Sequence, residues 1–246
     1  RLAMESLVLR TMSRRVIAVG QTVVEANQAR LGNRNLDIIL NAVPPAVILN
    51  KDERASLRVE MMSDPDRILF LSIGRLTPQK AYSDLLTAFA ESLKHAPQAC
   101  LAIIGEGDLR GELEQMLQEL GLEHDVRLLG HRQDVPRLLA ASDAYVSSSH
   151  WEGLSVAMLE AMAAGLPILA TSVGDTSHLL EEGRGLLVLP GDIPGLTRGL
   201  IRITNEPELR QQLGMAARTE AESRYAPDPW LDSLLQLYTE VREARL

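Results

Sequence analysis

From Arg67 onward the sequence alternates between short apolar runs and stretches with helical spacing, and this alternation restricts the possible folds most strongly. The apolar runs, each of strand length, lie at residues 68–73, 100–104, 126–129, 144–147, 167–171 and 185–189. Patterns typical of helices follow them, near residues 79–95, 108–120, 134–141, 155–164, 175–181 and 192–203. Because strands that alternate with helices form parallel sheets covered on both faces, we expect a doubly wound α/β domain.

Shorter patterns flank this domain. A helical pattern, a strand, a helix and a second strand are expected in that order at residues 1–12, 15–20, 22–31 and 36–41. A single β-α-β unit is too small to close a core of its own. Residues 46–66 are linker-like, with prolines nearby and a short helix predicted at KDERASLRVE. Two polar helices are expected after the last of the alternating patterns, at residues 206–224 and 228–245.

The bulk composition narrows the class of protein. The chain has 246 residues, a net charge of −8 and only 3% aromatic residues, which argues against a nucleic-acid partner. Its apolar runs are shorter than the ~18 residues of a membrane span, and no signal-peptide pattern opens the sequence. The one cysteine, Cys100, cannot form an internal disulfide and is typical of a reducing compartment. We therefore expect a cytoplasmic protein without a transmembrane segment, at most peripheral to a membrane.

The stretch from residue 144 to residue 171 predicts a strand, a polar loop, a short buried helix and a second strand. It places Glu152 in the loop and Glu160 in the helix, whose other residues are small or apolar. A charge on such a helix is costly unless it is paired or hydrogen-bonded. No Lys or Arg lies within one helical turn of Glu160, so its partner must come from elsewhere in the fold or from a ligand. Two carboxylates at this spacing, taken alone, more often belong to a structural ion pair and a capping loop.

The start of the same helix predicts an anion site. The backbone amides of Gly153, Leu154 and Ser155 should point outward there, and Gly153 lets a ligand approach the backbone closely. One helix would thus offer amides at its tip and a hydroxyl-accepting carboxylate, Glu160, two turns along. A nucleotide-sugar carries both complementary groups, a diphosphate and sugar hydroxyls.

The run S-x-x-x-E-G-L-S-x-x-x-L-E-A-M-A-x-G-L-P-I-L-A-T resembles the signature of the family 4 (group 1) retaining glycosyltransferases of GT-B fold. Members of that family have two Rossmann-like domains facing each other across a cleft, and the second domain binds the donor. The resemblance implies that residues 67–225 are this Rossmann-like donor-binding domain. It also implies that residues 1–45 are the last β-α-β piece of the first domain, residues 46–66 a linker and residues 226–246 a helix that crosses back.

The loop Gly74-Arg75-Leu76, with Lys80 behind it, follows the first strand of the main domain. Open α/β sheets bind ligands at the carboxyl ends of their strands, although Arg and Lys in such loops are often only solvated. By resemblance to the family's G-R-L-x-x-x-K motif, Arg75 and Lys80 hold the donor diphosphate and neutralise the charge that develops on it. Ala81 stands where a glycine is common in the family.

Two glycine-containing turns are further candidates. Gly105 and Gly107 follow an apolar run, but their spacing to Gly111 is one residue too long for a dinucleotide fingerprint. The family resemblance favours a turn that lines the donor pocket, and the alternative is a tight turn in which Asp108 caps the next helix. In the family the nucleobase packs on the turn that corresponds to Gly130 and His131. A solvent-facing role for His131 is equally compatible with the sequence.

The resemblance also assigns roles to the two carboxylates. Glu160 would accept hydrogen bonds from the ribose hydroxyls, and Glu152 would hold hydroxyls of the donor sugar, beside the amides of residues 153–155. Asp175 and His178 depart from the G-G-x-P-E pattern of many relatives. No histidine or cysteine spacing predicts a metal site, and a cofactor beyond the nucleotide-sugar is not required in the family.

The sequence therefore predicts a glycosyltransferase that moves a sugar from a UDP-, GDP- or ADP-type donor to an acceptor hydroxyl with retention, this chain carrying mainly the donor-binding half. The acceptor class stays open between a glycan, a lipid-linked molecule and a small molecule. Alternatives are a binding or assembly module without catalysis, and a GT-B sugar-nucleotide epimerase or hydrolase. The lone β-α-β unit should expose apolar surface and strand edges, so self-association is expected.

Overall fold

The computed structural model describes residues 15–31, 36–61, 64 and 66–243, with only the backbone given for residues 28–31. The helix predicted over residues 1–12 lies outside the described residues. The described strands form two parallel sheets, one of two strands and one of six.

The smaller sheet belongs to the predicted β-α-β unit. It consists of strand β1, helix α1 and strand β2, at Val16–Ala18, Gln21–Leu31 and Leu36–Ile38. The two strands run parallel, with Val16 beside Leu36 and Ala18 beside Ile38. Both strands are shorter than the apolar runs predicted for them.

The larger sheet confirms the α/β domain predicted from the alternation. Its strands are β3 Ile68–Ile73, β4 Ala99–Ile104, β5 Val126–Gly130, β6 Ala144–Ser147, β7 Ile168–Thr171 and β8 Leu186–Val188. Every adjacent pair is parallel, and the order across the sheet is β5-β4-β3-β6-β7-β8. The connecting helices are α3 Tyr82–Leu93, α4 Arg110–Glu119, α5 Val135–Ala141, α6 Val156–Ala163, α7 Thr176–Leu180 and α8 Ile193–Asn205.

Alternate residues of each strand enter two different cores, one on each face of the sheet. Leu69 and Leu71 of β3 pack in one apolar cluster, and Phe70 between them packs in the other. Since successive strand side chains point to opposite faces, a strand covered by helices on both sides must be apolar throughout. This explains the unbroken apolar runs in the sequence.

The strand order reverses direction between β3 and β6. The chain moves outward from β3 to β4 and β5, and then returns to the other side of β3 for β6, β7 and β8. The loops that follow β3 and β6 therefore lie next to each other at the carboxyl edge of the sheet, at the point where the order reverses. In open α/β folds this switch point is the preferred place for a ligand.

The segment predicted as a linker contains a folded helix, α2 Lys51–Glu60. Asn50 and Glu53 form a capping box at its start, which fixes where it begins. The Arg58 side chain is buried and pairs with Asp143 at 2.7 Å, and Met61 reaches the core of the large sheet. The helix predicted at KDERASLRVE is thus confirmed, and it packs on the large sheet because Arg58 and Met61 fix it there.

Two long helices complete the described chain, α9 Pro207–Arg224 and α10 Pro227–Glu243. Helix α10 contacts the small sheet, where Glu240 pairs with Arg15 at 2.9 Å, and Arg15 also pairs with Asp37 of β2. The Arg15 guanidinium holds the pKa of Asp37 below its usual value. These contacts tie the two ends of the described chain together.

Across the described residues, no helix is both long enough and apolar enough to cross a bilayer.

Candidate functional site

The loops after β3 and β6 meet at the switch point, as the topology requires. A short 3-10 helix, Pro78–Lys80, lies in the first loop, beside residues 148–155 of the second. The His150 amide donates to the Gln79 carbonyl at 2.8 Å, and the Gln79 side chain donates to the Trp151 carbonyl at 2.9 Å. Gln79 therefore joins the loop that carries the predicted cations to the loop that carries Glu152.

Lys80 and Glu152, both predicted as site residues, form an ion pair across these loops. Their side chains are 16% and 13% exposed, so the pair is largely shielded from water. The Ser149 hydroxyl donates to the same Glu152 oxygen at 2.9 Å, and the Gln79 amide lies 3.5 Å from the other oxygen. The predicted phosphate-binding cation and the predicted sugar-binding carboxylate thus neutralise each other in this structure.

The backbone behind Lys80 is held from the β6 side. The Ser148 hydroxyl donates to the Lys80 carbonyl at 2.8 Å and to the Ala81 carbonyl at 3.1 Å. Ala81 has a left-handed backbone with φ of 48°, a conformation that favours glycine. Ala81 thus replaces the glycine that is common in the family, and its backbone keeps a left-handed conformation that glycine adopts readily.

Glu160 lies on α6 and is half-buried. Among the described residues, none hydrogen-bonds to its carboxylate or forms an ion pair with it. Burial raises the pKa of Glu160 above its usual value, and no neighbouring charge counters that rise. The sequence predicted a carboxylate without a local partner, and the structure supplies none from the rest of the described fold.

The start of α6 is open, as the predicted anion site requires. Ser155 caps the helix by accepting from the Met158 amide at 3.4 Å. No described residue accepts a hydrogen bond from the amides of Gly153, Leu154 or Ser155, and the position of a Cβ on Gly153 has no atom within 4 Å. Three backbone donors at a helix N-terminus are therefore available to a ligand.

Arg75 is exposed, and its side chain has no hydrogen-bond or ion-pair partner in the described part of the chain. Gly74 lies under the Lys80 side chain, because a Cβ on Gly74 would sit 2.5 Å from Lys80 Cε. The Arg75 side chain is thus exposed to solvent, whereas the Lys80 side chain packs over Gly74 and is held by its ion pair with Glu152.

Gly105 and Gly107 pack against the loop after β3. A Cβ on Gly105 would lie 1.9 Å from the Gly74 carbonyl oxygen, and one on Gly107 would lie 2.4 Å from the Leu76 carbonyl oxygen. These close approaches give both glycines a packing role whether or not a ligand is present. Helix α4 begins after Leu109, which makes no side-chain cap, so the alternative of Asp108 as a cap is wrong.

Gly130 adjoins this turn, and its carbonyl accepts from the Gly105 amide at 2.9 Å. Its backbone is left-handed, with φ of 72°. His131 is exposed, and no described residue contacts its side chain through a hydrogen bond or ion pair. The structure brings the turns at residues 105 and 130 together, and leaves the His131 side chain outside that contact.

Sequence reasoning missed the residues that hold the site in shape. They are polar or aromatic side chains without a motif of their own, namely Gln79, Tyr82, Ser148, Ser149 and Thr171. Tyr82 is buried with its hydroxyl 3.3 Å from the Gly74 carbonyl, and the Thr171 hydroxyl donates to the Ser149 carbonyl at 2.6 Å. The serine run before the motif was the one available signal, because buried serines at a strand end need partners.

A cavity of about 340 Å³ lies beside the site, between the small β-α-β unit and helix α7. Leu154 lines one wall, and Asp175, one of the departures from the family pattern, lines another. Asp175 is buried and accepts from the Thr22 amide at 3.0 Å, so it caps helix α1 across the cleft. No group of three or more potential metal-ligating side chains occurs in the described ranges.

The family described as glycosyl transferases group 1 matches residues 53–220, which is more than half of the chain. The match includes the loops after β3 and β6 and the whole of α6.

Two curated relatives illustrate the similarity. One is the UDP-Gal:alpha-D-GlcNAc-diphosphoundecaprenol alpha-1,3-galactosyltransferase of Escherichia coli, 35% identical over 57% of this chain and 38% of its own. Another is the N-acetyl-alpha-D-glucosaminyl L-malate synthase of Bacillus anthracis, 26% identical over 92% of this chain and 59% of its own. The chain thus spans less than two thirds of the length of these relatives.

Solved structures show the same fold. The Anabaena protein HepE, solved in complex with UDP and glucose, has a TM-score of 0.85 and 23% identity, covering 98% of this chain and 66% of its own. Sucrose-phosphate synthase from Thermosynechococcus elongatus has a TM-score of 0.85 and 24% identity, covering 99% of this chain and 62% of its own. The predicted GT-B fold class is confirmed, and because the family match covers more than half of the sequence, the chain belongs to the group 1 glycosyl transferases.

Proposed function

We propose that this chain is the donor-binding half of a retaining glycosyltransferase that uses a nucleoside-diphosphate sugar. The observation that carries the proposal is Glu160, a half-buried carboxylate without a partner among the described residues, on the helix whose free amides open onto the switch point. A partly buried carboxylate without hydrogen-bond donors costs free energy. Ribose hydroxyls can donate to it, and hydrogen bonds to an ionised acceptor are strong.

The remaining site residues then have complementary roles. Arg75 and Lys80 bind the diphosphate, and as preorganised cations they stabilise the charge that grows on it when the glycosidic bond breaks. The Gly153–Ser155 amides contact the sugar or the phosphate, and Glu152 holds sugar hydroxyls. The turns at Gly105–Gly107 and Gly130–His131 line the nucleoside end.

Retention follows from the family resemblance. In that family the leaving phosphate, on the same face as the incoming acceptor, helps to deprotonate the acceptor hydroxyl. Such a mechanism asks for cations at the phosphate, the role proposed for Arg75 and Lys80. Residues 67–225 act as the donor domain and residues 1–45 as part of the acceptor domain, joined by residues 46–66 and crossed by α10.

A UDP-sugar is the first donor to test. The galactosyltransferase of E. coli has UDP-Gal in its name, and HepE was solved with UDP and glucose. The acceptor is a hydroxyl of a glycan, a lipid-linked molecule or a small molecule, and the reaction takes place in the cytoplasm or at the membrane surface facing it.

The test is a thermal-shift comparison of UDP-glucose, GDP-glucose and ADP-glucose, followed by titration calorimetry of the best one. Ligand at one hundred times its Kd stabilises a protein by about 2.7 kcal/mol, which raises Tm by roughly 5–10 °C in a chain of this size. One base should stand out, because base contacts are specific whereas phosphate contacts are shared. If none of the three shifts Tm or gives binding heat at millimolar concentration, the donor-site proposal fails.

Arg75 gives a sharper test of the phosphate role. Arg75→Ala should weaken binding of the diphosphate by about tenfold, on the order of 1.4 kcal/mol, and should leave a bare nucleoside unaffected. Arg198→Ala is the matched control, since Arg198 is an exposed arginine on α8, outside the site. Equal losses for diphosphate and nucleoside would contradict the role given to Arg75.

Catalysis by this chain is a separate question from donor binding. The rival function is a binding or assembly module that holds the nucleotide-sugar without turning it over. Product analysis with a bound donor decides between them: transfer to an added acceptor supports the transferase, and free nucleotide without a glycosylated product supports a hydrolase or epimerase. A donor that stays intact alongside measurable binding supports the module.

A further inference from the structure

The ion pair between Lys80 and Glu152 sets a problem for donor binding, given the roles proposed above. Lys80 has one acidic partner among the described residues, Glu152, and that contact is largely shielded from water. The oxygen of Glu152 that meets Lys80 also accepts from Ser149 at 2.9 Å. This oxygen of Glu152 therefore accepts from two protein donors, Lys80 and Ser149.

Phosphate and carboxylate compete for the same lysine. Both are anions that accept from an ammonium group, and a diphosphate held near Lys80 would lie close to the ionised Glu152. Like charges at short range repel, the more so in a shielded site. Diphosphate therefore has to draw Lys80 away from Glu152, or share it at an electrostatic cost.

Two features of the loop make such an exchange possible. The aliphatic part of the Lys80 side chain passes over Gly74, where a Cβ would lie only 2.5 Å from Lys80 Cε. Because Gly74 has no side chain, the Lys80 side chain can shift there without a clash. Arg75 is exposed and has no described partner, so it can meet the diphosphate before Lys80 is released.

We propose that diphosphate and sugar recognition are coupled through this pair, an inference that rests on the donor-binding function. Before a donor binds, the ion pair with Lys80 keeps Glu152 from accepting hydrogen bonds from a sugar. When the diphosphate takes over Lys80, Glu152 loses its strongest donor and becomes the acceptor for hydroxyls of the donor sugar. Glu152 is thus a specificity residue that binds the sugar hydroxyls only when a diphosphate has taken over Lys80. It also weakens the binding of a nucleotide that carries no sugar.

The test compares UDP with UDP-glucose on the wild type and on Glu152→Gln, or the corresponding pair for the base that the screen identifies. Glutamine keeps the shape and removes the charge that competes for Lys80. We expect Glu152→Gln to bind UDP about three- to tenfold more tightly than the wild type does. The preference for UDP-glucose over UDP should fall toward unity, since a neutral amide oxygen is a weaker acceptor for sugar hydroxyls than the carboxylate.

Lys80→Met provides the second arm. Without the Lys80 ammonium group, the Glu152 carboxylate and the diphosphate no longer compete for it. Glu152→Gln should therefore no longer tighten UDP binding in a Lys80→Met background. This non-additivity identifies a direct contact. Glu91→Gln changes an exposed carboxylate on α3 that pairs with Lys94, and it controls for the loss of one negative charge. Thermal melts of each variant show that it is folded.

The outcomes separate this inference from the proposed function. If wild-type protein binds no nucleotide-sugar, the proposed function itself fails. If it binds one, and Glu152→Gln leaves UDP affinity unchanged or weaker, the exchange is wrong while the donor site stands. If Glu152→Gln tightens UDP equally with and without Lys80, or Glu91→Gln does the same, a general charge effect replaces the exchange.

Discussion

At the scale of single residues, Glu160 is where stability and binding conflict. Its carboxylate is half-buried, its pKa is raised by burial, and no described residue compensates it. For an acid whose pKa is higher in the folded than in the unfolded protein, ionisation disfavours the folded state. That penalty is present at neutral pH and disappears as the pH falls below the unfolded value. The ionised Glu160 carboxylate therefore lowers the stability of the folded protein at neutral pH.

Glu160→Gln should therefore stabilise the ligand-free protein and weaken nucleotide binding. We expect a higher unfolding free energy at pH 7, and a gain that shrinks as the pH falls toward 4. Affinity for the nucleotide should fall tenfold or more, on the order of 1.4 kcal/mol per decade. Urea melts at the two pH values and calorimetry with UDP measure these effects. A variant that is less stable at pH 7, or that binds nucleotide normally, would remove Glu160 from the proposed site.

Single residues also show how far the sequence could be interpreted. The lack of a local partner for Glu160 was predictable, because no Lys or Arg lies within one helical turn of it, but the sequence left a partner from elsewhere in the fold open. The pairing of Lys80 with Glu152 was not, because the two residues are 72 positions apart and meet only through the strand order. Gln79 and Ser149 likewise have no motif, and their roles arise from a contact between two loops.

At the scale of elements, the strands and helices of the large sheet were predicted with errors at their ends, since apolar runs reveal burial more clearly than they reveal hydrogen-bonded boundaries. The segment 46–66 was harder. Its charges and the prolines near its ends suggested a linker, but the capping box at Asn50 and the buried Arg58–Asp143 pair fix α2 on the large sheet. The sequence could not reveal this packing, because the charged partner of Arg58, Asp143, lies far away in the sequence.

The contact between the loops after β3 and β4 gives a prediction at this scale. Gly105→Ala places a Cβ 1.9 Å from the Gly74 carbonyl at a φ of +144°, so clash and backbone strain both act. We expect a loss of about 2–4 kcal/mol in unfolding free energy. Gly111→Ala is the matched control, because it lies in α4 with no atom within 4 Å of its Cβ position. It should gain about 0.5–1 kcal/mol from helix propensity.

Urea denaturation of both glycine variants measures the difference. Similar midpoints for the two would mean that the two loops are not in contact as described. A destabilised Gly105→Ala that also loses UDP affinity would further show that the packed loops shape the donor pocket.

At the scale of the whole molecule, the two sheets differ in how well they are covered. The six-stranded sheet has a core on each face, whereas the two-stranded sheet leaves Ile17 and Ile38 each 44% exposed. The pairs of Arg15 with Asp37 and Glu240 fasten the small sheet to α10, but partly exposed ion pairs contribute little. A parallel two-stranded sheet of three-residue strands is marginal without further covering.

This uneven covering predicts that the 246-residue chain associates with itself through the small sheet. Exposed apolar side chains on strands with free edges favour pairing between copies. We expect the average mass to rise with concentration over the micromolar range in light scattering. Ile17→Lys combined with Ile38→Lys should shift the protein toward monomer, because lysine on an edge strand opposes pairing. Val59→Lys, a 70%-exposed apolar position on α2, should leave the mass unchanged. A wild-type chain that is monomeric at all concentrations, or a Val59→Lys variant that dissociates as readily, would show that the small sheet is not the interface.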